Sequence, residues 1–499
     1  MKHEDNHSTY VRIGHFPENI SAEKAFDNFA LGTPISNTST TPSPIRTLSF
    51  FGRANYSFDD RYLATFTLRA DGTSKFARGH RWGYFPAGAL AWRMSNEAFL
   101  RDVNWLSNLK LRVSLGTSGN DRIPSDLYLM MYKLGDISKA PGFGESESYF
   151  YDFNNAYPVN KNVKWETTIT RNVGVDFGFF NDRLSGSVEV YWNTTKDLLL
   201  ATQIPGDTGF TQMLTNVGQT SNRGVELNLN GFIVERRDWT LGANFNIGFN
   251  KGRIDKLAGN ETSFYQEVSR IDTNNDVYWY RVGETMGTIL GYINDGFYTV
   301  SDFNYDPIAR TYTLKPGIVD CSLLAGTLAP GSPKFAKVNT DPDDPDRYRL
   351  TADDRAIIGK TTPVCSGGFG INATWKGFDL NAFFNFMLDF DVLNLNKINL
   401  GLSPSSSGDY RNNSADFKNM WRRYDDLGND LINRPDELAA YNAGATIWSN
   451  ANLTKSFVST YGVEDGSFLR LQTVTLGYTL PKNILKYVGM TKCRFYVTG

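Results

Sequence analysis

The densest run of ligating side chains is "VNTDPDDPDRYRLTADDRAIIG", Val338–Gly359. Closely spaced carboxylates in a turn suit a hard cation that takes roughly six to eight oxygens. Asn339, Asp341, Asp343, Asp353 and Asp354 could supply them, although Pro342 and Asp344 interrupt the spacing and no glycine marks the turn. The stretch reads either as a solvated acidic turn or as a Ca²⁺ loop, and no other cofactor is expected. A second candidate chemistry is stacking. Tyr278, Trp279 and Tyr280 form one aromatic cluster, and Tyr410, Trp421, Tyr424 and Trp448 lie within another irregular stretch. Flat rings can carry sugars or anchor a protein partner, and they can equally pack a small core of their own. A third is "DGTSKFARGHRWGYFPAGALAWRMSNE", where Lys75, Arg78, His80 and Arg81 precede Trp82, Tyr84, Phe85 and Trp92. The basic cluster could meet an anion, but 51 Lys and Arg against 53 Asp and Glu leave a net charge of −2. No global field recruits nucleic acid.

Catalytic constellations are missing. The four histidines are His3, His7, His15 and His80. "GTSGND" offers Ser118 and Asp121 without a nucleophile elbow or a histidine partner. The carboxylate pairs Asp59-Asp60, Asp353-Asp354 and Asp425-Asp426 fall in turns, where aspartate is favoured for backbone reasons. No phosphate-cradling glycine loop is present. Cys321, Cys365 and Cys493 are far apart and lack metal spacing. No enzyme is expected.

The elements that must position these residues are strands. In "LGANFNIGFN", Leu241, Ala243, Phe245, Ile247 and Phe249 alternate with Gly242, Asn244, Asn246, Gly248 and Asn250. "GVELNLN", "NVGVDFGFF" and "RLSGSVEVYW" alternate in the same way. Period two over so many residues marks strands with one apolar and one polar face. No apolar run is long enough for a membrane helix, but strands of this length can cross a bilayer. Tight turns are expected at Asp59-Asp60, Asn181-Asp182, Arg236–Asp238 and Lys376-Gly377, with longer members at Ser95–Asn108 and Pro481–Met490. The alternate connections, 70–82, 117–166, 193–221, 251–366 and 391–466, are long. About twelve strands in six hairpins, with short turns at one end and long loops at the other, make an antiparallel up-and-down transmembrane β-barrel layout. The polar face would line the lumen and the apolar face would meet lipid. Trp82, Tyr84, Phe85, Trp92 and Trp192 would sit at the two membrane interfaces. A bulge near Gln472-Thr473 is needed to reconcile Leu469 and Leu471 with Val474 and Leu476. Residues 1–46 read as an extracellular loop or tail, and 47–499 as barrel.

Several blocks resemble the barrel of SusC/RagA-type TonB-dependent transporters. They include "LSFFGRANYSFDDRYLATFTLRADGTSKFARGHRWGYFPAGALAWRMSNEAFL", "NVGQTSNRGVELNLNG" and "GSFLRLQTVTLGYTLP". The resemblance runs in family order from about Leu48 to Gly499. It implies an outer-membrane barrel of about twenty-two strands in a Bacteroidota-type cell. It also implies a plug domain, energy from the TonB complex, a SusD-like surface lipoprotein as partner, and import of glycans or peptides. The start "MKHEDNHSTY" has no apolar leader, and neither a plug nor the final strands of such a barrel can be recognised. The chain is therefore expected to be an internal piece of a longer transporter. The alternative is an outer-membrane barrel adhesin or barrel enzyme that works without TonB-coupled transport.

Overall fold

A computed structural model describes residues 2–4, 8–15, 33–40, 45–134, 151–153, 157–205, 207, 209–259, 261–267, 276–339, 341–343, 345–401, 415–449, 457–487 and 489–499. Thirteen strands form one antiparallel sheet in which every strand lies beside its neighbour in sequence. Strand β1 (Lys2–Glu4) is a short edge piece, followed by β2 (Ile45–Phe58), β3 (Tyr62–Thr73), β4 (Trp82–Arg93) and β5 (Leu106–Asn120). Next come β6 (Glu166–Phe179), β7 (Leu184–Gln203), β8 (Gln212–Glu235) and β9 (Trp239–Lys256). The sheet ends with β10 (Cys365–Trp375), β11 (Phe378–Leu388), β12 (Phe468–Thr479) and β13 (Arg494–Thr498). The twelve expected strands are β2 to β13. Residues 1–46, expected as loop, also contribute β1, which pairs with β2, and a separate hairpin of Ser8–His15 with Thr33–Thr40.

Register carries the alternation across the whole wall. Tyr56, Ala64, Leu90, Val113, Val173, Val190, Val225, Phe249, Cys365 and Leu388 stand opposite one another in a single row from β2 to β11. All ten side chains are apolar, and all point to one face. One residue along each strand the face switches, and Arg112, Gly174, Glu189, Glu226, Gly248 and Ser366 form the opposing row. A one-residue slip would exchange these two rows, so register is strongly specified. The expected bulge is present: Phe383 pairs with Thr473 and Phe384 with Leu471, leaving Gln472 unpaired. That single extra residue keeps Leu469, Leu471, Val474 and Leu476 on the apolar face.

Aromatics mark both ends of the apolar band. At the short-turn end Trp239, Trp375, Phe378, Tyr478 and Phe495 form a row across five strands. Phe58, Tyr62 and Trp92 continue the same girdle at the other side of the sheet. Glu97 in the adjoining turn fixes it by accepting hydrogen bonds from Trp92 Nε1 (2.9 Å), Tyr62 Oη (2.8 Å) and Arg61 Nη1 (3.0 Å). At the long-loop end Trp82 stacks on Phe50 with centroids 6.2 Å apart, and Tyr84 and Trp192 are exposed on the same face. Phe85 departs from this pattern. It is buried on the polar face against Trp165, because strand parity sends it the opposite way from its neighbours Tyr84 and Pro86.

Turn chemistry follows the sequence. Asp59 and Asp60 share a left-handed backbone at φ 51°, and Phe180, Asn181 and Asp182 do the same at 58–59°. Lys376 and Gly377 at φ 44° and 93° close the β10–β11 hairpin. Asp, Asn and Gly tolerate this region with little strain, while Phe180 and Lys376 are held in it by the turns they share with Asn181 and Gly377. One connection differs from expectation. The stretch 193–221 is not an open loop, since β7 and β8 stay paired out to Gln203 and Gln212. These strands project well past the apolar band as a hairpin.

Parity makes a sharp prediction. Val188→Arg places a charge on the apolar face near mid-band and should cost about 2–4 kcal/mol, reducing the heat-resistant folded species on cold electrophoresis. Ser187→Arg, one residue away on the polar face opposite Asp176, should fold normally. Equal loss in both would show that the two faces have been assigned wrongly.

Candidate functional site

The polar face is the surface that any cargo passing through a barrel would meet, and it carries a ladder of paired charges. Lys110 and Arg112 on β5 face Asp176 on β6 and Glu189 on β7. Arg112 donates to Asp176 through Nε (3.0 Å) and Nη2 (2.7 Å), and through Nη2 to Glu189 (2.7 Å). Lys110 Nζ lies 2.6 Å from Asp176, and Asn172 Nδ2 donates to Glu189 at 3.0 Å. Forked guanidinium geometry suits two carboxylates at once. Around this ladder Asn228, Asn230, Asn244 and Asn246 present amides from β8 and β9. The result is a wettable wall that is rich in hydrogen-bonding groups and locally charge-balanced.

Nearer the long-loop end, a recess of about 530 Å³ opens on the same face. Its lining includes Ser49, Thr67, Arg69, Asp71, Phe85, Ser118 and Trp165. Arg69 Nε holds Asp71 at 2.6 Å, and Trp165 meets Phe85 edge-on at 5.5 Å. Phe85 lies directly over Gly119, where a Cβ would overlap the ring. Trp165 Nε1 donates to the Arg81 carbonyl at 3.1 Å. The recess thus combines an aromatic wall with an ion pair and hydroxyls, groups that can bind polar solutes with apolar faces.

The basic cluster of the 74–81 connection is largely structural. Lys75 Nζ donates to the Asp121 carbonyl at 2.9 Å, and Arg81 Nε donates to the Phe76 carbonyl at 3.1 Å. Both clips close over Phe76, which is buried with Ile123 and Val163.

The loop aromatics divide. Trp421 and Trp448, expected as substrate contacts, are only 4% and 2% exposed and belong to cores of the long loops. Trp448 packs on Phe457 and Tyr461, and Trp421 on Leu431 and Leu438. They hold loop folds together because a wetted loop of this length needs its own apolar centre. Tyr410 lies outside the described residues. Tyr278, Trp279 and Tyr280 sit on the strand Asp276–Arg281 of a separate four-stranded sheet. Alternation splits them. Tyr278 packs partly on Val277, Ile289 and Val458, and Tyr280 stacks on Phe264 at 4.8 Å and 7°. Trp279 carries the Arg281 guanidinium 5.1 Å from its ring. The three rings do not form one platform.

Of the candidate ligands in the acidic stretch, Asp354 alone folds inward, while Asn339, Asp341, Asp343 and Asp353 are exposed. Asn339 Oδ1 accepts from the Asp341 amide (3.2 Å), and Asp341 Oδ1 accepts from the Asp343 amide (3.0 Å). Asp353 and Asp354 lie in a single turn of helix, Ala352–Asp354. Asp354 is fully buried. Its carboxylate accepts from Lys337 Nζ (2.9 Å), Thr351 N (2.7 Å), Val338 N (3.1 Å) and Asn339 N (3.2 Å). The Lys337 ammonium therefore occupies the cationic position at Asp354. Among the described residues, no three His, Cys, Asp or Glu side chains stand close enough to hold a metal ion.

Sequence patterning did not single out Trp165 or the Arg112–Asp176–Glu189 network. Each network residue sits at a polar position of an alternating strand, so its face was readable. Which residues meet across strands depends on register, and no local signal encodes that.

Comparison with known proteins bears on this wall. The family model described as TonB dependent receptor-like, beta-barrel matches residues 6–317. TonB-dependent receptor SusC of Bacteroides thetaiotaomicron is 33% identical over 439 residues, covering 87% of this chain and 38% of that protein. TonB-dependent receptor P3 of Formosa agariphila is 28% identical over 481 residues, covering 96% and 43%. The chain spans less than half the length of these curated relatives. Among solved structures, the RagAB peptide transporter overlays with a TM-score of 0.67 at 24% identity, over 94% of this chain and 45% of that one. It shares the fold.

Asp354 is the testable centre of the loop fold. Burial raises its pKa, but Lys337 and the amides of Thr351 and Asn339 outweigh that and hold it below the ordinary carboxylate value. A lowered folded pKa gives stability that is present above the unfolded value near 4 and lost as pH falls through the folded value. Protection of residues 338–355 in hydrogen exchange, corrected for intrinsic rates, should be level from pH 6 to 8 and fall below about pH 4. Asp354→Asn should strip protection at neutral pH by about 3 kcal/mol and flatten the acid limb, since the buried Lys337 ammonium would lose the charge of the carboxylate it faces. Trp448→Ala should loosen the neighbouring loop core by about 3–5 kcal/mol. If it instead weakened cargo binding and left loop protection unchanged, the packing role would fail.

Proposed function

This chain belongs to the TonB-dependent receptor β-barrel family, and we propose that it forms part of the wall of an outer-membrane importer of glycans or peptides. The observation that carries the reading is the two-faced register: apolar side chains run unbroken across ten strands on one face, while charge-balanced and amide groups face the other. Such a wall separates lipid from a wet interior. An outer membrane has no local energy source, so uptake through a plugged barrel would draw on the inner membrane through the TonB complex, as the family name indicates. A SusD-like lipoprotein at the long-loop end would present cargo, and the recess between Arg69, Asp71 and Trp165 would be an early stop on its path. The relatives matched are receptors and transporters, and the site supports passage better than bond cleavage: Arg112, Lys110, Asp176 and Glu189 pair with one another rather than with a nucleophile.

The experiment is uptake by cells carrying or lacking the gene. Deletion should abolish growth on one oligosaccharide or peptide mixture as sole carbon source. A protonophore should stop uptake of the labelled cargo within minutes while surface binding persists. Uptake that survives the protonophore would exclude a TonB-coupled importer, and surface binding without any uptake would favour the adhesin reading. Within the recess, Trp165→Ala should lower cargo affinity by about tenfold, the order expected of one lost aromatic contact. An unchanged affinity would remove the recess from the path.

A further inference from the structure

The outward face carries a second, unassigned recess of about 420 Å³. Its walls include Arg171, Trp192, Arg223, Lys251 and Arg253, supplied by four consecutive strands, β6 to β9. Arg171, Trp192, Arg223 and Lys251 stand opposite one another in a single register row. The row lies two residues above Val173, Val190, Val225 and Phe249, so strand parity puts it on the face that meets lipid. Arg253, opposite Ser221, continues the patch two residues further toward the long-loop end.

Its height along the wall is informative. Arg171 stands eight residues before Phe179 at the short-turn end of β6. At about 3.4 Å per residue and a tilt of roughly 40°, that is about 20 Å, close to the far edge of a band about 25 Å tall. Trp192 occupies this row as an interfacial ring. The recess therefore opens where outer-leaflet headgroups begin.

The charges are unlike those of the lumen. Arg112 there is shared by two carboxylates. Here, among the described residues, no carboxylate pairs with Arg171, Arg223 or Lys251, and Arg253 lies 3.8 Å from Asp255. Arg171 Nη1 donates only to a hydroxyl, that of Thr194, at 3.3 Å. Arg223 faces Lys251 directly, a like-charge cross-strand pair that disfavours the sheet unless an anion lies between them. Guanidinium forks and an ammonium suit phosphate oxygens. We propose that this recess binds the phosphate of an outer-leaflet glycolipid headgroup, whose acyl chains lie along the apolar rows below it. The site is independent of what the barrel imports, because cargo travels on the other face.

The test uses the protein purified in a zwitterionic detergent, with native mass spectrometry reading bound lipid. The probes are monophosphoryl lipid A, the same lipid dephosphorylated, and free inorganic phosphate. The unaltered protein should prefer the phosphorylated lipid. The combined Arg171→Gln, Arg223→Gln and Lys251→Gln variant should lose about 100-fold in affinity for it, and Arg223→Gln alone about fivefold. A heat-dependent mobility shift confirms that each variant is folded, and the single variant decides the matter if the triple one is not. Exposed Arg122→Gln should have no effect. Three outcomes would overturn the proposal: equal binding of both lipids, displacement of the lipid by millimolar free phosphate (a soluble-anion site), or unchanged lipid binding with an altered oligomeric state (a contact between copies).

Discussion

A strand inside lipid has no water to satisfy its backbone, and everything else in this wall follows from that constraint. Each N–H and C=O must find a partner on a neighbouring strand, so pairing must continue without interruption through the whole apolar band. Pairing fixes register, and register with a period of two fixes which face every side chain takes. The ten-strand row from Tyr56 to Leu388 is the direct consequence. The one interruption in the last long strands, at Gln472, shows the same constraint at work. Without the bulge, either Leu469 and Leu471 or Val474 and Leu476 would face water. One unpaired residue costs less than reversing the faces of half a strand.

Satisfied backbones leave the two faces free to serve two solvents. On the inner face, the Arg112 network matches its charge with two carboxylates, one of which also accepts from an amide. On the outer face, charge is excluded until the headgroup level, where Arg171, Arg223 and Lys251 appear together. The same residue type therefore carries different meanings at different heights. An arginine paired across the lumen shapes a wet wall. An arginine at the rim that faces no carboxylate among the described residues, such as Arg171 or Arg223, is available to the membrane surface.

The architecture was legible because alternation is local. "LGANFNIGFN" shows its faces without any knowledge of its neighbours, and Asp59-Asp60, Asn181-Asp182 and Lys376-Gly377 show their turns through residues that tolerate left-handed backbone. What escaped depends on distance. Aromatic type alone groups Phe85 with Trp82 and Tyr84 at the interface, whereas its odd position on the strand places it on the lumen side. Trp165 lies beyond the strand pattern, at the end of a long connection, and its contact with Phe85 spans about 80 residues of chain. The extent of the 193–221 hairpin was missed because paired strands in water need no apolar stripe to betray them.

The long loops obey the rules of soluble proteins, and this explains why Trp421 and Trp448 pack cores of their own. Above the girdle there is no lipid to receive an exposed ring, so a large loop must bury its own. Tyr298, Phe303, Phe335, Trp448 and Phe457 do this in one cluster, sealed by the Tyr298 hydroxyl donating to the Val319 carbonyl. Trp375 and Trp239, equally aromatic, stay exposed on the wall because their solvent is the bilayer interface. Sequence alone leaves the loop tryptophans open between stacking a cargo and packing a core of their own, and the burial of Trp421 and Trp448 favours the core. Their burial assigns Trp421 and Trp448 the task of holding the loop folds together.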